Sequence, residues 1–291
     1  MKKKLKIIFN PISGSRLAGK RIKHIRQYFE NHNYLVNWSV TRQKGNATIF
    51  AKEIDDSFYA AVVIGGDGTI NEVVNGLQGR QIPIGIIPQG TGNLLAKELG
   101  IPISIEKACA VIKRARTISM DLGHDTKRYF FLMAGIGIDA EIVYAIDAAR
   151  KGNISLLTYI IPIIRTIINY HLPRITISIN GTVVEKEASF VFVSNVKGYF
   201  GPVRFAYLAK TNDGQFDVCI MKGRKKLHIL KYVIGAATGT LRMFSDVLYL
   251  RGKDVTVTGY TSDRYQLDGD PGGTLPASFK AIPDAVRFFV P

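Results

Sequence analysis

An aspartate inside a glycine turn is the first group in this chain that could do chemistry. Asp67 lies in Gly65-Gly66-Asp67-Gly68-Thr69-Ile70-Asn71-Glu72, and a second turn, Pro88-Gln89-Gly90-Thr91-Gly92-Asn93, follows after one apolar run. A strand that ends in a glycine turn and opens a helix gathers unpaired backbone N–H groups at the positive end of a helix dipole. That is an anion site, most often for phosphate. Glycine suits it because a Cβ would block close backbone approach to the ligand. The Asp67 carboxylate is out of place beside phosphate unless a divalent cation lies between them. The pair of turns therefore predicts a metal-bound polyphosphate. The alternative is that glycines merely join strands to helices.

The elements that must hold these turns can be read from hydrophobic spacing. Ala60–Ile64 reads as a buried strand, and Ile70, Val73, Val74 and Leu77 recur at helical spacing behind it. Ile84–Ile87 and Leu95–Leu99 frame the second turn in the same way. A third strand, Lys4–Phe9, ends in Asn10-Pro11-Ile12-Ser13-Gly14, and a helix carrying Ile22, Ile25 and Phe29 on one face follows. Three strand–loop–helix units predict a parallel sheet whose ligand crevice lies at the carboxyl ends of the strands.

The α/β pattern continues through a helix at Ile105–Arg114 to a strand at Thr117–Leu122, and after Gly123 the character changes. Tyr129–Met133 reads as a strand running into Gly135-Ile136-Gly137-Ile138-Asp139, followed by helical sequence to about Tyr170. Then strands dominate: Ile175, Ile177 and Ile179 alternate, and Asn180-Gly181 is a type I′ hairpin signal. Ser189–Ser194 and the alternations at Phe216–Ile220 and Val255–Val257 continue the pattern, with a helix at Leu227–Leu241 among them. The expected fold is an α/β domain over residues 1–122 and a mostly antiparallel β domain over 123–282. The apolar segment Asn153–Tyr170 has two readings, a helix pair packed under the β domain with a kink or break at Pro162, or an apolar surface that meets a lipid tail or membrane interface.

Bulk properties narrow the partners. The 291 residues are 46% hydrophobic and carry 39 Lys and Arg against 23 Asp and Glu, a net charge of +16. Such a charge calls for an anionic partner, whether nucleic acid, a membrane face or a phosphorylated ligand, with a solvated basic surface that has no dedicated partner as the alternative. No helix-turn-helix, zinc finger or RNP-type pattern is present, so nucleic acid ranks below an anionic membrane face. Cys109 and Cys219 are the only cysteines, which excludes a disulfide framework and a thiolate zinc site and suits a reducing compartment. Met1-Lys2-Lys3-Lys4 lacks the apolar stretch of a signal peptide, and Ile154–Ile164 is too short to span a bilayer.

With these motifs in order along essentially the whole chain, the sequence resembles the diacylglycerol kinase catalytic-domain family, which includes bacterial soluble lipid kinases and sphingosine and ceramide kinases. The carrying residues are Asn10-Pro11-x-Ser13-Gly14, Gly65–Glu72, Gly90-Thr91-Gly92-Asn93 and the late Asp268-Gly269-Asp270. The resemblance implies a first domain like those of NAD kinases and phosphofructokinases, a β-sandwich second domain, and a final segment, 283–291, that returns to the first domain through Ala285–Val290. It implies ATP contacts at Asn10, Pro11, Ser13, Gly14, Thr41, Gly65, Gly66, Asp67, Gly68, Thr69, Asn71, Glu72, Gly90, Thr91 and Asn93. Asp67 would act through Mg²⁺, and Asp268 would be the general base that takes a proton from a lipid hydroxyl, with Asp270 beside it. A structural Mg²⁺ would sit at Asp213 with the backbone carbonyls of Lys210 and Gln215, supported by Asp121. For Asp213 an ordinary Asn-Asp-Gly turn is the competing reading, and for Asp121 an ordinary strand-end cap.

The sequence departs from the family pattern in three places. Leu94 stands where many members carry an acid, Asp270 is shorter than the family's Glu, and Gly198-Tyr199-Phe200-Gly201-Pro202 replaces a glycine-rich stretch. The expected activity is ATP-dependent phosphorylation of a hydroxyl on diacylglycerol or a similar membrane lipid, by a cytoplasmic protein held peripherally at the inner membrane face. An NAD kinase-like enzyme and a non-catalytic lipid-binding regulator are the rivals. A homodimer through strand edges is compatible with the second domain.

Overall fold

The computed structural model describes residues 2–13, 19–149, 156–199 and 201–291. The chain divides into two compact units, Met1–Leu122 with Pro283–Pro291, and Gly123–Ile282. It passes from one to the other within two strands.

In the first unit the order is β1 (Lys3–Phe9), α1 (Gly19–Asn31), β2 (Tyr34–Val40), α2 (Asn46–Lys52), β3 (Phe58–Gly65), α3 (Asp67–Leu77), β4 (Ile84–Pro88), α4 (Leu94–Glu98), α5 (Ile105–Arg114) and β5 (Thr117–His124). The sheet runs β2-β1-β3-β4, and all three pairings are parallel. Helical crossovers cover both faces, so the inner strands are apolar along their length rather than alternating. Leu5, Ile7 and Ile8 in β1 and Ala60–Ile64 in β3 are fully buried. Helix α3 seals one side with Ile70, Val73, Val74 and Leu77, each at most 2% exposed and each worth about 1.5–3 kcal/mol when buried. At Gly76 a Cβ would lie 2.5 Å from the carbonyl oxygen of Thr48, so α2 and α3 approach closely only because that residue is glycine. The strand order reverses direction between β1 and β3. Loops leaving the carboxyl ends of two such neighbours diverge, which opens the ligand crevice of this sheet type there.

The second unit contains β6 (Tyr129–Phe130), β7 (Met133–Ile136), α6 (Ile138–Ala149), α7 (Leu156–Asn169), β8 (Ile175–Ile179), β9 (Thr182–Ala188), β10 (Phe190–Ser194), β11 (Phe216–Met221), α8 (Leu227–Thr238), β12 (Val247–Gly252), β13 (Asp254–Thr258), β14 (Arg264–Leu267), β15 (Asp270–Thr274) and the long β16 (Ala277–Phe289). One sheet here is built from β16, β13, β8 and β9, and the other runs β12-β11-β10-β7-β14-β15. The pairings are antiparallel in both. Ile175, Ile177, Ile179, Val255, Val257 and Phe279 from the first meet Ala134, Ile136, Val191, Val193, Val218 and Leu267 from the second in one apolar core. That core makes the unit a β-sandwich. The hairpin between β8 and β9 turns at Asn180 and Gly181, with φ of 50° and 81°, the left-handed pair a type I′ turn requires. The last residues of β16 lie in the first unit, where Phe288 pairs with Ile84 of β4.

One element differs from expectation, and one open choice is resolved. Tyr129–Met133 is not one strand: it breaks at Phe131 and Leu132, whose N–H groups leave the ladder for a carboxylate described below. Of the kink or break expected at Pro162, the break does not occur, since helix α7 continues from Leu156 to Asn169 with Pro162 inside it. A proline removes one N–H and crowds the preceding turn, yet does not prevent helix from continuing on both sides. Asn153–Ser155 of the apolar segment lie outside the described residues.

Candidate active site

In the first unit, three loops at the strand ends are tied together by side-chain to backbone bonds. The Asn10 N–H donates to the Ile64 carbonyl at 2.9 Å, and Asn10 Nδ2 donates to Thr69 Oγ1 at 3.0 Å, so the loop after β1 is fixed to the start of α3. Asn10 Oδ1 accepts from the Ile12 N–H, and Ser13 Oγ donates back to the Asn10 carbonyl. Pro11 lies in this turn, while Gly14 falls outside the described residues. Thr41 is buried, and its N–H donates to the Phe9 carbonyl at 2.8 Å, which places the end of β2 beside the end of β1.

The two glycine turns meet backbone to backbone. A Cβ on Gly90 would lie 2.5 Å from the Gly66 Cα, and one on Gly66 would lie 2.9 Å from the Gly90 Cα. Gly65 is needed for a different contact, since its Cβ would meet the Thr69 side chain at 2.9 Å. Asn93 closes the second turn on itself: Oδ1 accepts from the Gly90 N–H and Nδ2 donates to the Gly90 carbonyl, both at 2.8 Å. Thr91 is exposed at the rim, and Asn71 is buried on α3, where it accepts from Asn75 Nδ2.

The acids of α3 cap its neighbours. Asp67 Oδ2 and Oδ1 accept from the N–H groups of Leu94 and Leu95 at 2.9 and 3.0 Å, at the start of α4. Glu72 accepts from the N–H groups of Gly45 and Ala47 at 2.9 and 3.0 Å, at the start of α2. Helix N-termini leave N–H groups without intrahelical partners, and carboxylates satisfy them well. The N-terminus of α3 itself has no side-chain cap. Gly68 stands there, exposed, with φ outside the left-handed region and nothing within 4 Å of the position a Cβ would take. Among the described residues nothing explains a glycine at this point of a helix, where alanine is the better helix former. A ligand backing onto the open end would explain it.

In the second unit, Asp268 occupies the two-residue turn between β14 and β15. Its carboxylate accepts three backbone N–H groups, those of Phe131, Leu132 and Met133, at 2.9, 2.8 and 3.0 Å. These bonds are why the expected strand breaks. Asp268 and Gly269 have φ of 53° and 84°, and the Asp268 N–H donates to the Met133 carbonyl. The Arg128 guanidinium donates to the carbonyls of Leu267, Asp270 and Pro271 at 3.5, 3.5 and 3.1 Å, clasping the turn from its other side. The half-buried carboxylate is thus fixed at both backbone and side chain, in its charged form and in one orientation.

Of the residues expected at a metal, Asp213 faces a cation supplied by the chain itself. Asp213 Oδ2 is paired with the Arg251 guanidinium, and its Oδ1 accepts from the Gln215 N–H at 3.3 Å. Arg251 also lies 3.7 Å from buried Asp217. Lys210 and Gln215 would contribute backbone carbonyls rather than side chains, and among the described residues no three His, Cys, Asp or Glu side chains come together to hold a metal. As arranged, the Arg251 guanidinium lies between the carboxylates of Asp213 and Asp217 and occupies the place where a cation would meet the turn. Asp121, in the first unit, accepts from the Asp284 N–H at 2.9 Å and so fastens the returning segment.

The sequence profile of the diacylglycerol kinase catalytic domain matches residues 4–124, and that of the YegS C-terminal NAD kinase beta sandwich-like domain matches residues 133–290. A protein named diacylglycerol kinase from Bacillus subtilis (strain 168) is 30% identical over 281 residues, covering 95% of this chain and 93% of that protein. The chain belongs to the diacylglycerol kinase catalytic-domain family. A second member bearing the same name, from Staphylococcus carnosus (strain TM300), is 27% identical and covers 100% of this chain and 96% of its own length. Solved structures from Bacillus anthracis share the fold, one with a TM-score of 0.81 at 24% identity over 99% of this chain and 97% of that one. Another, described as a diacylglycerol kinase, has a TM-score of 0.75 at 21% identity over the same shares. Family membership makes this chain a kinase-type phosphotransferase.

Three residues that hold the site together had no assigned role in the sequence. Gln266, Asp139 and Arg128 act on the Asp268 turn or its supports. For Asp139 there was a signal: an acid flanked by Ile138 and Ala140 after a glycine-rich run must either be exposed or have partners, and it is 5% exposed.

Proposed function

We propose that this chain is an ATP-dependent lipid kinase that moves the γ-phosphoryl group to a hydroxyl of diacylglycerol or a similar membrane lipid. The observation that carries the nucleotide half is the open N-terminus of α3, left uncapped while Asp67 and Glu72 on the same helix cap α4 and α2. Backbone N–H groups at such an end, with space where a Cβ would stand, suit the β- and γ-phosphates of a nucleotide. Mg²⁺ would arrive with the polyphosphate and offset its charge. Asp268 takes the proton from the lipid hydroxyl as the hydroxyl oxygen bonds to the γ-phosphorus, the bond to the bridging oxygen breaks, and ADP leaves with the electron pair. A positioned base contributes about 10²–10⁴-fold, and holding the reactants in line supplies much of the rest.

A peripheral membrane role is supported by α8. Leu227, Leu230, Val233 and Ile234 are 74%, 56%, 41% and 52% exposed, and Arg224, Lys225 and Lys226 precede them. An apolar face beside a cationic cluster suits the headgroup boundary of an anionic leaflet. No helix among the described residues is long and apolar enough to cross a membrane.

The test is transfer of labelled phosphate from ATP to lipids presented in vesicles containing phosphatidylglycerol, with Asp268→Asn as control. The wild type should label diacylglycerol or a related lipid, and the variant should lose at least about a hundredfold in turnover while still binding nucleotide. Vesicle binding with no lipid labelled would make the chain a lipid-binding regulator instead. Near-normal turnover by the variant would move the base role to Asp270 or a relayed water.

A further inference from the structure

Beneath the Asp268 turn lies a buried polar relay that phosphoryl transfer as described does not use. The Gly269 N–H donates to Gln266 Oε1 at 2.7 Å, and Gln266 Nε2 donates to Asp139 Oδ2 at 2.8 Å. The Tyr199 hydroxyl bonds to Asp139 Oδ1. Gln266 is 1% exposed and Asp139 5%.

The direction of the relay is forced. A backbone N–H can only donate, so Gln266 must turn its oxygen to Gly269 and its amide nitrogen to Asp139, and Asp139 must accept. The fold makes room for this contact. Gly135 is the cross-strand partner of Gln266, and a Cβ there would fall 1.8 Å from Asp139 Oδ2. Tyr265 and Leu267 point into the sandwich core, so alternation sends Gln266 to the opposite face, over which α6 carries Asp139. Burial holds the Asp139 carboxyl above its usual range, a cost the chain carries for three bonds in series. Those bonds are not needed to form the turn, because Asp-Gly adopts a type I′ hairpin unaided. They fasten its tip, and with it the aim of the Asp268 carboxylate, to the layer on which α6 sits.

We propose that Asp139 and Gln266 are positioning residues, which act through the Gly269 N–H to hold the Asp268–Gly269–Asp270 turn in the orientation that phosphoryl transfer requires. This rests on the reading of Asp268 as the base.

The test exploits the polarity of the relay. Asp139→Asn can still accept from Gln266 through its carbonyl and meet the Tyr199 hydroxyl with its amide, so kcat should stay within about threefold of wild type. Gln266→Glu sets a carboxylate against Asp139, so kcat should fall at least about tenfold with KM for ATP unchanged. The double variant Asp139→Asn with Gln266→Glu restores a donor facing an acceptor and should recover to within about threefold of wild type. Recovery of that kind is not expected of two unrelated structural defects. A second readout is independent of activity: amide exchange at Gly269 should accelerate at least about tenfold in Gln266→Leu and be unchanged in Asp139→Asn and Asp268→Asn. If the wild type labels no lipid, or Asp268→Asn stays active, the functional reading falls and Gly269 exchange still decides the relay. The inference is overturned if Asp139→Asn is as inactive as Asp268→Asn, if the double variant is no better than Gln266→Glu alone, or if Gly269 exchange is insensitive to Gln266→Leu.

Discussion

Replacing Gly68 with alanine should separate folding from nucleotide binding, because the two respond with opposite signs. Gly68 lies in the first turn of α3 with φ outside the left-handed region and no atom within 4 Å of the new Cβ. The folded protein therefore accepts alanine without strain, and the unfolded chain loses freedom. Stability should rise by about 0.5–1 kcal/mol. For a protein of this size that is an increase of about 1–4 °C in melting temperature. If phosphates back onto the open end of α3, the same methyl group intrudes on them. Overpacking of a formed contact costs about 1–3 kcal/mol, which weakens ATP binding about 5–150-fold. Gly90→Ala provides the contrast: its Cβ would stand 2.5 Å from the Gly66 Cα, where carbon atoms normally rest about 3.5–4.0 Å apart. That variant must part the two turns, so melting temperature and affinity should fall together. Thermal melting and calorimetric titration with a non-hydrolysable ATP analogue measure both quantities. A Gly68→Ala protein that binds the analogue like wild type would refute the placement of phosphate at α3, and one that melts lower would show the glycine to be structural.

Two further outcomes follow from the capping carboxylates and the Asp213 turn. Glu72→Ala leaves the Gly45 and Ala47 N–H groups without their acceptor and should cost about 1–2 kcal/mol in urea denaturation, with Glu72→Gln near half of that; unchanged stability with lost ATP binding would instead put Glu72 on the nucleotide. Because Arg251 already faces Asp213, millimolar Mg²⁺ should leave the melting temperature of the wild type unmoved, whereas Arg251→Met should make it Mg²⁺-dependent; a wild-type melt that rises with Mg²⁺ would show the ion displacing the guanidinium.

Much of the fold is legible in sequence because it is local. Continuous apolar runs such as Ala60–Ile64 mark strands covered on both faces, and the alternation of Ile175, Ile177 and Ile179 marks one covered on a single face. Asn180-Gly181 and Asp268-Gly269 carry their turn type in their own conformational preferences. The strand expected across Tyr129–Met133 failed for a non-local reason: its apolar pattern is sound, but two of its N–H groups serve a carboxylate more than 130 residues away in sequence. At Pro162 the sequence leaves a kink and a break equally open, and the helix continues because the turns on either side of it absorb the missing bond.

The glycine turns, the late Asp268 and the order in which they occur are properties of the sequence alone, and so is the kinase family they resemble. What each acid does was decided by tertiary structure. Asp67, Glu72 and Asp268 all accept backbone N–H groups from distant segments, and a backbone N–H belongs to every residue but proline. No residue type marks the donor, so no spacing could have revealed the pairing. The same holds for Gly66 and Gly90, whose need for glycine arises only where two loops distant in sequence touch. Gly68 is the converse. Among the described residues nothing requires it, which is why a bound phosphate is proposed there.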